Sequence, residues 1–279
     1  MSSSTKYTAA PQRDSVDNPT AYTQPPPSYS EPTAQSDHDA LLAGSPRSST
    51  DNTPDDFKYG GMVSEATIDI RMAFVRKVYA ILAVQLVSTA ALSVVSFWSD
   101  SYKNWIQDHP GFMLVSILAS LVFFGLTFWK RKSYPMNLLF LSAFTLTEAY
   151  GISVVTSFYS SKIVLQAVVL TAGIFIALTL VACQTKYDFT HWLPYLGVFL
   201  WGVFLFGMMG VFFPFGSTTE LIWSGVCALV FSGYILVDTQ LVMRHYHVEE
   251  EIAAALSLYL DIINLFLAIL RILNNTQNN

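Results

Sequence analysis

Seven apolar stretches follow one another between about residue 75 and the C-terminal end of this 279-residue chain. A helix needs roughly 20 residues to cross about 30 Å of bilayer hydrocarbon, and each stretch is near that length. Only 13% of the residues are charged, about half the proportion of an ordinary globular domain. The sequence therefore predicts an all-α integral membrane protein, a seven-transmembrane-helix bundle with spans near 75–97, 111–129, 137–157, 163–183, 191–213, 221–243 and 252–273.

The seventh stretch departs from the others because it contains two polar residues, Asp261 and Asn264. Polar side chains inside hydrocarbon are costly. A six-span alternative, in which the last segment enters the membrane and returns to the same side, therefore stays open.

The first 60 residues have the opposite character, being rich in Ser, Thr, Pro, Asp and Asn without hydrophobic periodicity. Such a segment cannot bury enough apolar surface to offset its ordering entropy. We expect a disordered cytosolic arm over residues 1–70 and a membrane domain over residues 71–279. The arm also lacks the apolar core of a cleavable signal peptide, so the first transmembrane helix is expected to act as the targeting signal.

The distribution of basic residues orients the predicted bundle. With the N-terminus in the cytosol, nine Lys and Arg residues flank the cytosolic ends of the spans and three lie on the opposite side. This bias follows the positive-inside rule, which predicts a lumenal C-terminus. The cytosolic set is Lys58, Arg71, Arg76, Lys77, Lys130, Arg131, Lys132, Lys186 and Arg244, and the opposite set is Lys103, Lys162 and Arg271.

A PPxY motif lies in the arm at Pro26, Pro27 and Tyr29. Proline favours the polyproline II conformation, which aromatic grooves such as those of WW domains bind at low entropy cost. The motif predicts a WW-domain partner, such as a ubiquitin-ligase adaptor. An incidental tyrosine in proline-rich disorder is the alternative.

A second short motif, DHDALL, fits the acidic dileucine pattern of sorting signals. Its defining residues are Asp37, Leu41 and Leu42, in an otherwise polar segment. The motif predicts recognition by sorting machinery, although short patterns of this kind also occur by chance.

Two aspartates in the last two spans form the most informative pair of polar residues. Asp238 lies about 7 Å, and Asp261 about 13 Å, from the same membrane face, at 1.5 Å of helix per residue. The short connection between the spans makes the helices antiparallel neighbours, so the carboxyls can approach one another. Burial disfavours both charges and repulsion disfavours the second, so the pair is expected to share a proton. Two separately satisfied acids are the alternative.

Two further residues are candidates for the same site. Arg131 ends the second span at the cytosolic face, and its long side chain could reach toward Asp238 as a latch. An ordinary positive-inside anchor is the alternative. Glu148 lies midway along the third span, where it either lines a pathway or is a hydrogen-bonded structural acid.

Several motifs resemble those of the Bax inhibitor-1 superfamily, also called the lifeguard family. The strongest is residues 255–266 (ALSLYLDIINLF), followed by residues 270–273 (LRIL). Residues 234–240 (YILVDTQ), 74–79 (FVRKVY) and 144–149 (FTLTEA) also match. The resemblance covers about residues 70–275, and the proline-rich arm is similar to that of the fungal branch.

This resemblance implies a seven-helix fold with a central last helix and a pH-responsive Ca²⁺ leak. It implies that Asp238 and Asp261 are the pH sensor, that they bind Ca²⁺ only transiently, and that Arg131 is the latch. It also implies residence in the endoplasmic reticulum, vacuole, Golgi or mitochondrion, and modulation of cell death and endoplasmic reticulum stress. Bcl-2-type or stress regulators are the expected partners. No cofactor, enzymatic activity or nucleic-acid binding is expected.

Three other functions share some of these sequence features. A non-conducting scaffold that binds cell-death regulators is the main alternative. An intramembrane aspartyl protease also carries one aspartate on each of two neighbouring helices, but it needs Tyr-Asp and Gly-x-Gly-Asp motifs, whereas Val237 precedes Asp238 here. A heptahelical receptor is disfavoured because its Asp-Arg-Tyr and Asn-Pro-x-x-Tyr motifs are missing from the corresponding spans.

Overall fold

The computed structural model describes residues 61–278. In that range the helices are α1 (Ile68–Trp98), α2 (Asp100–Asp108), α3 (Pro110–Trp129), α4 (Met136–Ser157), α5 (Ser161–Gln184), a 3-10 helix (Phe189–Trp192), α6 (Leu193–Phe212), α7 (Ser217–Arg244) and α8 (Glu251–Asn278). Seven helices are long and apolar enough to cross a membrane, and α2 is the short connection between the first two. The predicted class, an all-α seven-helix membrane bundle, is confirmed.

Local sequence signals set several helix ends. Pro110 is the first residue of α3, where its missing N–H and fixed φ suit a helix start. Ser99 and Ser160 cap α2 and α5, their hydroxyls accepting hydrogen bonds from the backbone N–H groups of Tyr102 and Ile163 at 3.3 and 3.4 Å. Each cap satisfies a donor that has no partner within the helix.

Helix α1 begins at Ile68, earlier than the start near residue 75 that hydropathy predicted. Its first turns carry Asp69, Arg71, Arg76 and Lys77, so they are too polar to be counted in an apolar stretch. The helix nevertheless continues through them, because leaving the hydrocarbon does not require a helix to end.

Helix α8 is continuous over 28 residues, about 42 Å at 1.5 Å per residue. Asp261 and Asn264 do not interrupt it, and the side-chain amide of Asn264 donates to the carbonyl of Leu260 at 2.8 Å. An uninterrupted helix of this length favours a full crossing over the six-span alternative. Because seven crossings alternate in direction, α1 begins on one side of the bundle, the N-side, and α8 ends on the opposite C-side.

The last helix lies at the centre of the bundle. In its most apolar stretch 78% of residues are buried, against at most 39% in any other span. It packs against α1, α3, α4, α5 and α7. The central last helix that the family resemblance implied is therefore present.

Buried hydroxyl and amide groups join α8 to the helices around it. The side chain of Gln85 on α1 donates to Thr145 on α4 at 3.0 Å. One turn further along α1, the hydroxyls of Thr89 and Tyr259 lie 2.8 Å apart. Such interhelical bonds contribute to association where lipid tails are as apolar as the side chains. Thr89 and Tyr259 thus connect the central helix to the first.

Replacing Tyr259 by Phe should lower the free energy of unfolding by about 0.6–1.7 kcal/mol, from the mean to the largest value measured for hydrogen bonds between membrane helices. The ring is fully buried, so the apolar packing is retained and only the hydroxyl is lost. Denaturant titration in mild detergent measures the change.

Tyr195→Phe is the matched control, because Tyr195 is 69% exposed on the outer surface of α6. Equal destabilisation by the two substitutions would show that the bond between Thr89 and Tyr259 does not stabilise the bundle.

Candidate functional site

The two aspartates of the last two helices meet inside the bundle. Asp238 on α7 and Asp261 on α8 are 8% and 6% exposed, and their carboxyls lie within hydrogen-bonding reach of each other. A carboxylate only accepts hydrogen bonds, so a hydrogen bond between the two groups requires that one of them carries a proton. The second oxygen of Asp261, Oδ2, is buried without a hydrogen-bond partner among the described residues. The acid pair therefore has one proton to share and one free acceptor.

The hairpin of α7 and α8 brings the aspartates together. The connecting loop, residues 245–250, is six residues long by the bounds of the two helices, so the helices lie antiparallel and in contact along their lengths. Asp238 comes two turns before the end of α7, and Asp261 three turns after the start of α8. The two carboxyls thus meet near the same end of the hairpin, as their depths along the helices predicted.

A cavity of about 610 Å³ extends from the acid pair toward the C-side. Most of its wall is apolar, and its polar wall groups include both aspartates, Ser257, Asn264 and Arg271. The full lining is Phe124, Phe128, Leu200, Val203, Phe204, Gly207, Met208, Trp223, Cys227, Phe231, Tyr234, Asp238, Ser257, Leu260, Asp261, Asn264, Leu267, Ala268 and Arg271.

One face of α8 provides most of the polar groups of this cavity. Ser257, Asp261, Asn264, Ala268 and Arg271 follow one another at intervals of three or four residues, the spacing that aligns side chains on one side of a helix. These five residues are called the cavity face of α8. It runs from a hydroxyl and a carboxyl near the N-side to a guanidinium near the C-side.

The acid pair alone is too small for a resident Ca²⁺ site. Calcium typically takes about six to eight oxygen ligands, and no group of three or more metal-binding side chains occurs within residues 61–278. Asp238, Asp261 and the side-chain oxygen of Asn264 would give a cation a partial shell, to be completed by water. The donor set suits brief contact with a passing ion.

Arg131 lies at the N-side end of α3, but its ionic partner is Glu250 and not Asp238. Its Nε is 3.3 Å from Oε1 of Glu250, and Nζ of Lys132 is 3.9 Å from the same oxygen. The side chain of Glu250 is 8% exposed. The pairing of Arg131 with Asp238 that the sequence led us to expect is thus replaced by a pairing with Glu250, because the fold of the connecting loop brings this carboxylate within reach of the arginine.

A short segment before α1, residues 62–64 or the strap, also lies on the connecting loop. The backbone N–H of Val63 donates to the carbonyl of Tyr246 at 2.9 Å, and that of Ser64 to the carbonyl of Arg244 at 3.2 Å. Val63 is fully buried. Nearby, Lys77 of α1 forms a 2.7 Å ion pair with Glu251. The loop at the N-side end of the acid pair is therefore fixed by contacts from the strap, α1 and the end of α3.

Tyr246 connects this loop with the cavity face of α8. Its hydroxyl lies 3.3 Å from that of Ser257, one turn before Asp261. Burial, assisted by the nearby carboxyl of Asp238, raises the pKa of Tyr246 to about 12. The hydroxyl therefore stays neutral at physiological pH and is a fixed hydrogen-bonding group.

Glu148 lies apart from the acid pair. It is half-buried on α4 and accepts a 3.0 Å hydrogen bond from the hydroxyl of Ser120 on α3. It is not among the residues that line the cavity. Of the two interpretations left open by the sequence, the geometry favours a hydrogen-bonded acid between two helices.

The predicted site residues lie in the described part of the chain, and the predicted arm motifs do not. Asp238, Asp261 and Arg131 occupy one end of the bundle, whereas the PPxY and dileucine motifs of the arm lie outside the described residues. Glu250, Tyr246 and the strap were missed from sequence. The acidic run at residues 249–251 was the available signal, but an acidic loop beside a membrane is usually solvated, so its buried member could not be distinguished.

Comparison with known proteins gives a consistent result over the membrane domain. A family described as "Inhibitor of apoptosis-promoting Bax1" matches residues 71–278. The chain is 40% identical to Bax inhibitor 1 of Schizosaccharomyces pombe over 276 residues, covering 98% of this chain and 97% of the relative.

Two relatives from other sources are equally similar over the membrane domain. Protein lifeguard 4 of the mouse is 41% identical over 231 residues, covering 82% of this chain and 95% of its own. The Golgi anti-apoptotic protein of vaccinia virus, strain Lister, is 41% identical over 220 residues, covering 78% and 92%. Each match covers nearly the whole relative.

A double-mutant cycle should assign the partner of Arg131. Arg131→Ala and Glu250→Gln should couple by about 0.5–1 kcal/mol, since the arginine is partly exposed and solvent screens the pair. Arg131→Ala and Asp238→Asn should couple by less, because no ion pair joins them. Unfolding of each single and double variant in detergent measures both couplings.

Lys130→Ala is the control, because the Lys130 ammonium lies over the Trp129 ring at 4.9 Å and has no carboxylate within 4.0 Å in the described part of the chain. Stronger coupling of Arg131 to Asp238 than to Glu250 would contradict the geometry.

Proposed function

Because the chain belongs to the Bax inhibitor family of membrane proteins, we propose that it is a pH-sensitive Ca²⁺ leak channel of an internal membrane that restrains programmed cell death. The single observation that carries the proposal is the buried acid pair at one end of a cavity within the bundle. An intramembrane acid that faces a cavity is a functional candidate by default.

The cavity face of α8 supports a cation pathway. Hard cations such as Ca²⁺ prefer oxygen ligands, and this face offers the hydroxyl of Ser257, the carboxyl of Asp261 and the amide oxygen of Asn264 in sequence along the cavity. Conduction needs binding that is weak enough to release the ion. An incomplete oxygen shell meets that need better than a resident site would.

The shared proton supports pH sensitivity. The proton on the acid pair removes one negative charge from the position where a cation would bind, so ion binding and proton binding compete. The other titratable groups facing the pair are Tyr234 on α7 and Tyr246 on the loop. Glu250 is held by Arg131 and Lys132. The pH response is therefore assigned to the pair itself.

The connecting loop is the proposed gate. It closes the N-side end of the acid pair, and Tyr246 joins it to Ser257 one turn from Asp261. A change in the charge of the pair would alter the contact between α7 and α8 and so move the loop. Arg131 then acts as a latch through Glu250, by holding the loop from the end of α3.

The cellular part of the proposal comes from the relatives. Their names describe Bax inhibition and, for the viral relative, protection from apoptosis at the Golgi. We place this chain in the endoplasmic reticulum or vacuole membrane, with the N-terminus and the connecting loop in the cytosol, as the basic residues predict. A role in the endoplasmic reticulum stress response, WW-domain binding by the arm and contact with Bcl-2-type regulators belong to the same proposal.

A non-conducting scaffold is the second candidate. The names of the three relatives describe cell-death protection or family membership and mention no ion. A scaffold would use the bundle only to present its outer surface, and would give the acid pair no role beyond packing. Flux through the purified protein separates the two functions.

The variants Asp238→Asn, Asp261→Asn and the double Asn variant should each flatten the pH dependence of Ca²⁺ flux between about pH 5 and 8, because each removes the shared proton. Protonation weakens ion binding and also changes the contact between α7 and α8, and these effects can oppose one another, so the direction of the wild-type profile is left to the measurement. Liposomes that contain purified protein and a Ca²⁺ dye report the flux.

Glu148→Gln is the control, since Glu148 lies outside the cavity, and it should keep the wild-type profile. Arg131→Ala should change the basal flux and keep the pH response. A wild-type profile in the double Asn variant would make the acid pair structural, and absence of flux through the wild-type protein would favour the scaffold.

A further inference from the structure

The cavity face of α8 carries opposite charges at its two ends. Arg271 follows Asp261 by ten residues, about 15 Å along the helix, and both side chains line the same cavity. A cation that crosses the membrane by this route therefore meets the acid pair and the guanidinium in turn. The proposed function makes use of the first charge and leaves the second without a role.

The guanidinium of Arg271 is fixed but not neutralised. It stacks over the ring of Trp223 on α7 at 4.8 Å, a favourable cation–π geometry. No carboxylate comes within the 4.0 Å limit of an ion pair to Arg271 in the described residues, although Glu220 lies in the first turn of the same α7. A charged arginine can be held in a half-buried position in this way while its field still reaches the cavity.

The field of Arg271 also reaches the loop between α4 and α5. Burial raises the pKa of Tyr159, and the charge of Arg271 acts in the opposite direction, ahead of a smaller contribution from Glu220. The titratable and charged groups that interact with one another near the C-side end of the cavity are therefore Arg271, Glu220, Tyr159 and, within the cavity, Cys227. Glu220 is the one acid of this group that opposes the guanidinium.

We infer that Arg271 is the charge-selective barrier of the pathway, which repels cations at the C-side end of the cavity and divalent cations most strongly. This inference rests on the proposed function. The Coulomb energy of an ion in a fixed field is proportional to its charge, so the factor by which Arg271 reduces Ca²⁺ passage is the square of the factor for Na⁺.

This barrier accounts for a slow leak in place of rapid conduction. The acid pair favours a cation at one end of the cavity, and Arg271 disfavours it at the other, so the ion is held where it binds and is slow to leave. Selectivity in other channels also depends on rings or single residues of fixed charge along the pore. Here one arginine on the central helix has that role.

The test compares Ca²⁺ and Na⁺ flux through the same liposomes for the full chain and for Arg271→Gln. For an ion about 6 Å from the guanidinium in water, Coulomb's law gives an expected increase in flux through Arg271→Gln of about threefold for Na⁺ and about tenfold for Ca²⁺. Arg271→Lys keeps the charge and should stay within about twofold of the wild type. Trp223→Phe also keeps the charge of Arg271, so the ratio of Ca²⁺ flux to Na⁺ flux should stay at the wild-type value.

A salt series provides an independent readout. Because dissolved ions screen an exposed charge, raising the concentration of impermeant salt should increase Ca²⁺ flux through the wild type and not through Arg271→Gln. A merely structural role of the arginine would not produce this difference.

Each outcome decides the inference. Equal increases in Na⁺ and Ca²⁺ flux in Arg271→Gln would show that the substitution widens the pore. Unchanged flux in Arg271→Gln, together with a pH-dependent flux through the wild type, would show that Arg271 is only an anchor. Either result overturns the role of Arg271 as a barrier and leaves the proposed function standing. No flux through the wild type or any variant overturns the proposed function, and the barrier with it.

Discussion

The contact between the buried carboxyls of Asp238 and Asp261 is the interaction on which the rest of the structure depends. Two carboxyl groups at 8% and 6% exposure cannot both be ionised there, because desolvation and mutual repulsion oppose the second charge. A shared proton resolves the conflict and holds α7 against α8. The pair also connects two particular residues across the contact between α7 and α8.

The remaining helices surround this hairpin and enclose it. The last helix in sequence is the most buried span, and buried polar contacts such as Thr89 with Tyr259 join it to its neighbours. On the N-side, the strap, Lys77 and Arg131 hold the connecting loop and its flank. On the C-side, the cavity ends near the stacked guanidinium of Arg271. The acid pair thus lies beside a loop that these contacts hold in place, and at the other end of the cavity from the positive charge of Arg271.

Hydropathy and helix geometry sufficed to predict the seven spans and the meeting of Asp238 with Asp261, because both depend on distances along a helix and on one short loop. The partner of Arg131 could not be predicted in this way, since it depends on the fold of residues 245–250. The start of α1 was also missed, because its first turns are helical but polar. For Glu148, hydropathy gave the depth but not the direction of the side chain, which decides whether it lines the cavity.

The central claim is that the cavity face of α8 is a water-filled, cation-accessible path. Cysteine accessibility in a background lacking Cys183 and Cys227 tests it directly. Ser257→Cys, Asn264→Cys and Ala268→Cys should react with a water-soluble thiol reagent, and Ca²⁺ should slow the reaction. Leu258→Cys and Leu265→Cys, which are fully buried on α8 and do not line the cavity, should not react. Equal reactivity of both sets, or none at the three cavity positions, would contradict the claim.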